Sequence, residues 1–448
     1  MYTDLGENFY QRISPSHNDH PKLMLLNKEL LNKLAPELMN HKELDHILSG
    51  KILYFSDSPI AMVYAGHQFG HFNPRLGDGR AILLGERDGI ELHLKGSGPT
   101  MYSRGGDGLS PLGPALREYI MSMALNNLNI KTAQTLSVCL TGEDAYREEY
   151  LPAANLIRTA KSHIRIGTFE YFFHQGDFTG LKTLADYSIK KLYPGLNYLD
   201  FFLEVSKRQI ELINSWLSIG FIHGVMNTDN CLISGETIDY GPCAFMDQFA
   251  SDQWFSSIDR NGRYRYSNQM NIILWNLSCL ATALTPLINN KEDDLNTFWE
   301  PIFRDLEDFQ LINWTEIMLR KFGITDSQPG DTKLIQNFLS ILEKEKLDFT
   351  NSFRNLEQTF ELLKNYSEID HIKERLTHSS QELRDTVNPY LIPRNHMVEQ
   401  AIENCYQGKF NHLENLLEAI EKPFTTNQKW EHFTQMGTNK NYQTFCGT

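Results

Sequence analysis

The stretch Phe221–Asp247 reads FIHGVMNTDNCLISGETIDYGPCAFMD, and the rest of the chain is understood outward from it. Cys231-Leu232-Ile233 and Glu236-Thr237-Ile238 flank Ser234-Gly235, which predicts two short strands closed by a two-residue hairpin turn. In that register Asn230 stands opposite Asp239 on one face of the ribbon. A carboxamide oxygen beside a carboxylate suits a hard divalent cation, which takes oxygen ligands and keeps positions for phosphate oxygens. The pair therefore predicts a Mg²⁺ or Mn²⁺ site for a nucleotide. The plainer alternative is an Asn and an Asp closing an ordinary loop.

Upstream, Phe201 to Ile219 has the apolar period of a long helix that stops at Gly220, and His223-Gly224 follows at once. Downstream, Asp239-Tyr240-Gly241 resembles the metal-binding Asp-Phe-Gly of protein kinases. Kinases place a catalytic Asp five residues before the metal-binding Asn. Here that position is Val225, which cannot accept a proton, and the nearest carboxylate is Asp229. The chain either lacks the base or takes it from another position.

Nearer the N-terminus, RAILLG (residues 80–85) and IELHL (residues 90–94) read as two strands joined by a charged turn. Just before them, Gly77 and Gly79 in LGDGR would let backbone N–H groups approach phosphates, with Arg80 adding charge; a plain loop is the alternative. Lys95 ends the second strand. The glycine-dense loop after it contains Asp107-Gly108, either a further nucleotide-contacting turn or a flexible helix entry. Then Ala115, Leu116, Tyr119, Ile120, Met123 and Ala124 recur at helical spacing, and Glu118 lies on that helix. A strand-end lysine and a glutamate on the next helix form the ion pair by which kinases aim a lysine at phosphates; in isolation both would be solvated. Arg158 in NLIRTA and Arg165 in HIRIGTFEYF suit bidentate phosphate binding or structural salt bridges. His67 and His71 in YAGHQFGHF have the spacing of a zinc helix, but Gln68 stands where a glutamate base is needed, and Gly66 and Gly70 oppose a helix. Both histidines are expected to pack among aromatic residues of a loop.

The chain has 448 residues, with 42 Lys+Arg against 56 Asp+Glu and a formal charge of −14, which argues against a general nucleic-acid binder. Mean hydropathy is −0.40, and no run approaches the roughly 18 apolar residues of a membrane span. The length calls for two lobes around a cleft. The expected fold class is α+β: an N-terminal lobe over 1–155 with a small sheet and one prominent helix, and a mostly helical C-terminal lobe over 156–448. Helices are expected over Gln269–Leu287, Asp294–Leu311 and Met397–Ile420. The six cysteines show no CxxC pair, and MYTDLGENFYQRIS has no signal-peptide pattern, so a cytoplasmic protein with reduced thiols is expected.

YAGHQFG, LGDGRAILLGE, HLKGSG, YSRGGDG, HGVMNTDN and DYGP occur in the order and at the spacings of the selenoprotein O family, and the likeness runs from about residue 20 to the C-terminus. The chain resembles that family. The resemblance implies a protein-kinase-like bilobal fold and transfer of AMP, from ATP bound in a flipped orientation, to hydroxyls of protein substrates. It implies that Lys95 contacts phosphates and pairs with Glu118. Gly77, Gly79, Arg80, Asp107, Gly108, Arg158 and Arg165 would hold the nucleotide, Asn230 and Asp239 the metal, and Asp229 would be the base. ATP, a divalent cation and protein substrates are thus the implied partners of a monomeric enzyme with no role for nucleic acid or membrane. Conventional γ-phosphoryl transfer, a silent nucleotide-binding scaffold and UMP transfer stand as alternatives. Family members often carry a selenocysteine or cysteine near the C-terminus, tied to redox control through a disulfide with the activation-loop region. Cys446 matches it, but residues 247–264 contain no cysteine, leaving Cys243, another protein or no partner.

Overall fold

A computed structural model of the chain describes residues 1–16, 20–288, 295–438 and 442–444. Short apolar runs broken by glycine and Asp/Asn turns give β-structure up to residue 160. The strands are β1 (Tyr10–Arg12), β2 (Lys22–Leu26), β3 (Ile60–Met62), β4 (Gly66–Gln68), β5 (His71–Asn73), β6 (Ala81–Arg87), β7 (Ile90–Lys95), β8 (Ser110–Pro111), β9 (Gln134–Tyr146) and β10 (Tyr150–Ala160). An antiparallel sheet runs in the order β1-β3-β6-β7-β10-β9-β2, with β8 on β10, while β4 and β5 form a separate hairpin. The expected β6–β7 hairpin turns through Asp88 and Gly89, both at positive φ (51° and 76°), as a tight primed turn requires.

One face of this sheet prepares the site. Side chains alternate along β7, so Leu92 and Leu94 enter the apolar core while Glu91, His93 and Lys95 line the other face, all of them buried. Arg158 on β10 pairs directly with His93, so a guanidinium joins that polar stripe. Helices α1 (Lys28–Leu34) and α2 (Leu44–Leu48) flank the sheet, and α3 (Leu112–Asn127) packs on β9 and β10. The buried positions of α3 include Leu116, Ile120 and Ala124 but also Glu118.

After β10 the chain is largely helical, with α4 (Ile166–His174), α5 (Phe178–Leu192), α6 (Tyr198–Ser218), α7 (Gln269–Ile288) and α8 (Leu295–Lys321). Asn197 caps α6 by accepting from the N–H of Asp200 at 2.9 Å, and Gly220 at φ 71° follows its end as expected. Helix α7 is long and apolar enough by composition to cross a bilayer; here Ile273, Leu277, Leu280 and Leu284 are buried in the core, where it packs on α4 and α6. The five described cysteines are free thiols; Cys446 lies outside the described residues.

Three expectations are corrected. The Ser234-Gly235 hairpin does not form. A turn does close there, with the N–H of Gly235 donating to Leu232 O, but each arm pairs elsewhere: Cys231 to Ile233 with Ile164 to Ile166, and Thr237 with Lys131 to Ala133. The ribbon lies instead at the base of the stretch, where β11 (Phe221–Ile222) pairs with β12 (Ala244–Phe245). The helix expected over Met397–Ile420 is two, Asn395–Tyr406 and Asn411–Ile420, broken beside Gly408 at φ 75°. The helix expected to end at Leu311 continues to Lys321, its expected first residue, Asp294, lying outside the described residues.

Candidate active site

The polar stripe of the sheet meets α3 and the Phe221–Asp247 stretch in a network of buried charges. Lys95 Nζ donates to Glu118 Oε2 at 2.6 Å and to Asp239 Oδ1 at 2.7 Å. Arg158 Nη1 donates to the same Asp239 oxygen at 2.8 Å and lies 3.6 Å from Glu118 Oε1. The Arg158 Nε–H donates to His93 Nδ1 at 3.1 Å, so His93 carries its proton on Nε2 and donates it to Asp78 Oδ2 at 3.0 Å. Arg165 stands 3.5 Å from Asp78 Oδ1 and lies over the Tyr64 ring at 4.2 Å. Burial alone would raise the Asp239 carboxyl, but Arg158, Lys95 and Arg165 outweigh it and hold the group well below the usual carboxylate range. Asp78 is likewise lowered against its burial, by His93 and Arg165, while burial lowers His93.

Opposite this network, Asp229 sits in a short 3₁₀ turn, Thr228–Asn230, and is buried. Burial pushes its carboxyl up to about 7, against a hydrogen bond from Gln68 that favours the ionised form. Asn230 Nδ2 donates to Val225 O at 2.9 Å, leaving the carboxamide oxygen for a cation. With Asp239 this makes a hard oxygen donor set, which fits Mg²⁺ or Mn²⁺.

A cleft of about 690 Å³ is lined by every residue anticipated from the sequence: Gly77, Gly79, Arg80, Lys95, Asp107, Gly108, Glu118, Arg158, Arg165, Asp229, Asn230 and Asp239. Its size suits a nucleotide. Gly77 has φ 70°, and a Cβ there would come within 2.3 Å of the Tyr102 ring, so glycine is required. Asp107 lies at the exposed rim, where Arg147 Nη1 donates to it at 2.8 Å. Val225 lines the cleft and supplies no titrating group.

Sequence reasoning missed Gln68, His93, Asp78 and Asn227. The spacing of His67 and His71 drew attention to metal binding, but the two lie on β4 and β5, not on a helix. His71 is exposed; His67 packs on Phe72 and Trp275 and bonds Glu170 through Nδ1 at 2.5 Å. The residue between them that matters is Gln68, whose Nε2 donates to Asp229 Oδ2 at 3.2 Å. For His93 a signal existed, since Glu91, His93 and Lys95 alternate with apolar residues on one strand.

The described tail residues reach the same region. Thr444 accepts from the N–H of Ser257 at 3.0 Å, donates its own N–H to Phe255 O at 2.8 Å, and donates Oγ1–H to Pro242 O at 2.7 Å. Tyr442 and Glu399 bond Arg117, the neighbour of Glu118.

The family described as protein adenylyltransferase SelO matches residues 1–441 of this chain. The chain belongs to the SelO family. Proteins named protein nucleotidyltransferase YdiU are similar over its whole length: 42% identical in Clostridium perfringens, 43% in Maridesulfovibrio salexigens and 44% in Bacillus cereus, covering 96%, 97% and 97% of those proteins. As a SelO protein it is a protein nucleotidyltransferase, with ATP and protein substrates as the reactants its family implies.

Proposed function

We propose that this SelO protein transfers AMP from ATP to Ser, Thr or Tyr hydroxyls of protein substrates, with Mg²⁺ or Mn²⁺, on a kinase-like bilobal fold. The observation that carries this reading is the placement of Asp229. It is a buried carboxylate in the cleft, tuned near neutrality, while Val225 occupies the position where a kinase would place its base. Lys95, Arg158 and Arg165 are buried cations in the cleft lining, suited to holding phosphates, and the reading takes ATP to bind there in a reversed pose. Gly77, Gly79 and Arg80 would meet the phosphates from the sheet side, and Asp107 with Gly108 would border the nucleoside at the rim. Asn230 and Asp239 would hold the divalent ion, which supplies charge neutralisation at the phosphates. The acceptor oxygen forms a bond to the α-phosphorus, the bond to the bridging oxygen breaks, pyrophosphate leaves with the electron pair, and the hydroxyl proton passes to Asp229. One chain supplies all of these residues.

The test is intact-mass spectrometry of the protein and of a protein lysate after incubation with ATP and Mg²⁺ or Mn²⁺, with Asp239→Ala as control. An AMP adduct absent from the control is expected, and Asp229→Ala should keep ATP binding while lowering transfer by roughly 10²- to 10⁴-fold. A phosphate adduct would assign the ordinary kinase pose, and ATP binding with no adduct the silent scaffold. A parallel incubation with UTP separates adenylyl from uridylyl transfer.

A further inference from the structure

We propose that Gln68, at the tip of the β4–β5 hairpin, is the positioning residue that aims the Asp229 carboxylate at the acceptor hydroxyl. This rests on the assignment of Asp229 as the base. The hairpin is joined to the loop bearing Asp229 by successive hydrogen bonds. The His67 N–H donates to Thr228 Oγ1 at 2.7 Å, Gln68 Nε2 to Asp229 Oδ2 at 3.2 Å, and the Phe69 N–H to Asn227 Oδ1 at 3.2 Å. Three consecutive residues of one segment thus engage three consecutive residues of the other. Glu170 secures Thr228 from α4, and Tyr264 donates to Asn227 Oδ1 at 2.6 Å, so the loop is fixed from three elements.

The hairpin is shaped for this contact at some conformational expense. Phe69 has φ 53°, a left-handed conformation that is unfavourable for a bulky side chain, and Gly70 follows at φ 84°. Gly66 lies so close to the carboxylate that a Cβ there would fall 2.6 Å from Asp229 Oδ1. The strand therefore admits Asp229 only because it carries glycine at this point.

The amide suits the task chemically. Its N–H occupies Oδ2, while Oδ1 is buried and has no hydrogen-bond partner. Oδ1 is closed off against Gly66 and Oδ2 is held by the amide, so the carboxylate is fixed at both oxygens. When the acceptor oxygen bonds to the α-phosphorus and pyrophosphate departs, the proton goes to that carboxylate. A glutamate at 68 would repel the carboxylate, and a lysine or arginine would neutralise it. A neutral donor orients the carboxylate without adding a charge beside it.

The experiment compares Gln68→Leu, Asp229→Asn and the double variant in the full chain, measuring AMP transfer and ATP affinity. Gln68→Leu should lower kcat by roughly 10- to 100-fold, with KM for ATP and ATP affinity changed by no more than about twofold, the size expected for coupling between bonded neighbours. In the Asp229→Asn background the same substitution should have no further effect on the residual rate. Gln68→Glu keeps the size and lacks the donor, so it should reproduce the kcat loss if the leucine variant misfolds. Wild-type kcat in Gln68→Leu, multiplicative losses in the double variant, or a parallel fall in ATP affinity would each overturn the assignment. Failure of the wild-type chain to transfer AMP in the same assay would instead overturn the reading of the reaction.

Discussion

Two buried arginine–carboxylate clusters in this protein use the same groups to opposite ends. In the cleft, Lys95 and Arg158 converge on one oxygen of Asp239, with Glu118 beside them. In the helical part, Arg394 Nη1 alone serves both Asp247 and Asp348, each at 2.6 Å, and its other nitrogen donates to Thr434 O. Asp239 meets two cations, whereas Arg394 meets two carboxylates, and the carboxylates respond in opposite directions. Asp239 is held well below its ordinary range by two cations and a nearby third, whereas burial keeps Asp348 above its ordinary value despite Arg394. The first cluster lines the cleft, where a ligand can enter. The other is a staple: Asp348 caps the helix Phe349–Arg354, Asp247 follows β12, and Arg394 precedes the helix Asn395–Tyr406. Cations gathered at an open cleft are placed to meet a ligand; a single shared cation in a closed setting joins elements.

The sharpest way to break this comparison is Asp239→Ala, which should abolish metal-dependent ATP binding and lower transfer by roughly 10³-fold while leaving a cooperative thermal transition, since Glu118 still pairs with Lys95. A collapse of the fold would place Asp239 with the staples. Next in size, Arg394→Ala leaves two carboxylates without their shared cation and should cost about 3–5 kcal/mol in denaturant unfolding. ATP affinity measured well below the transition should be unchanged. A third buried charge refines the contrast. Lys321, buried beside the rings of Phe349 and Phe353, has its ammonium pushed down from 10.5 to about 7 by burial. Neutral in the folded chain and protonated in the unfolded one between those values, it makes stability fall as pH drops from about 10.5 to 7, by up to about 1.4 kcal/mol per pH unit, and level off below. Lys321→Met should therefore raise Tm at pH 6.5 by a few degrees and by progressively less toward pH 10; an equal gain at all pH values would remove the charge as its cause.

Much of the site was legible before folding was considered, because its chemistry lies in residue types at short spacings. Asn230 and Asp239 were paired from one loop, and the glycines of LGDGR together with Lys95 and Glu118 were placed by hairpin and helix periodicity. The route by which Asn230 and Asp239 come to line one cleft is not legible there, since Ser234-Gly235 signals a turn but cannot say which strands its arms will join. Gln68 was passed over because its partner lies 161 residues away and nothing local distinguishes an amide that donates to a carboxylate from one in water.

By itself the sequence determined the β6–β7 hairpin through Asp88-Gly89, the stop of α6 at Gly220, the α+β division and the helix bearing Glu118. These follow from backbone preferences and side-chain periodicity, which act over a few residues, while the site roles of Arg158, Arg165 and Asp229 came from the resemblance of whole motifs. Only the tertiary structure decided which charges neutralise one another, that His93 donates to Asp78 and accepts from Arg158, and that Gln68 holds Asp229. Such pairings depend on ångström-scale approach between segments brought together by the packing of the whole core, and that distance is not written in any one stretch of the chain.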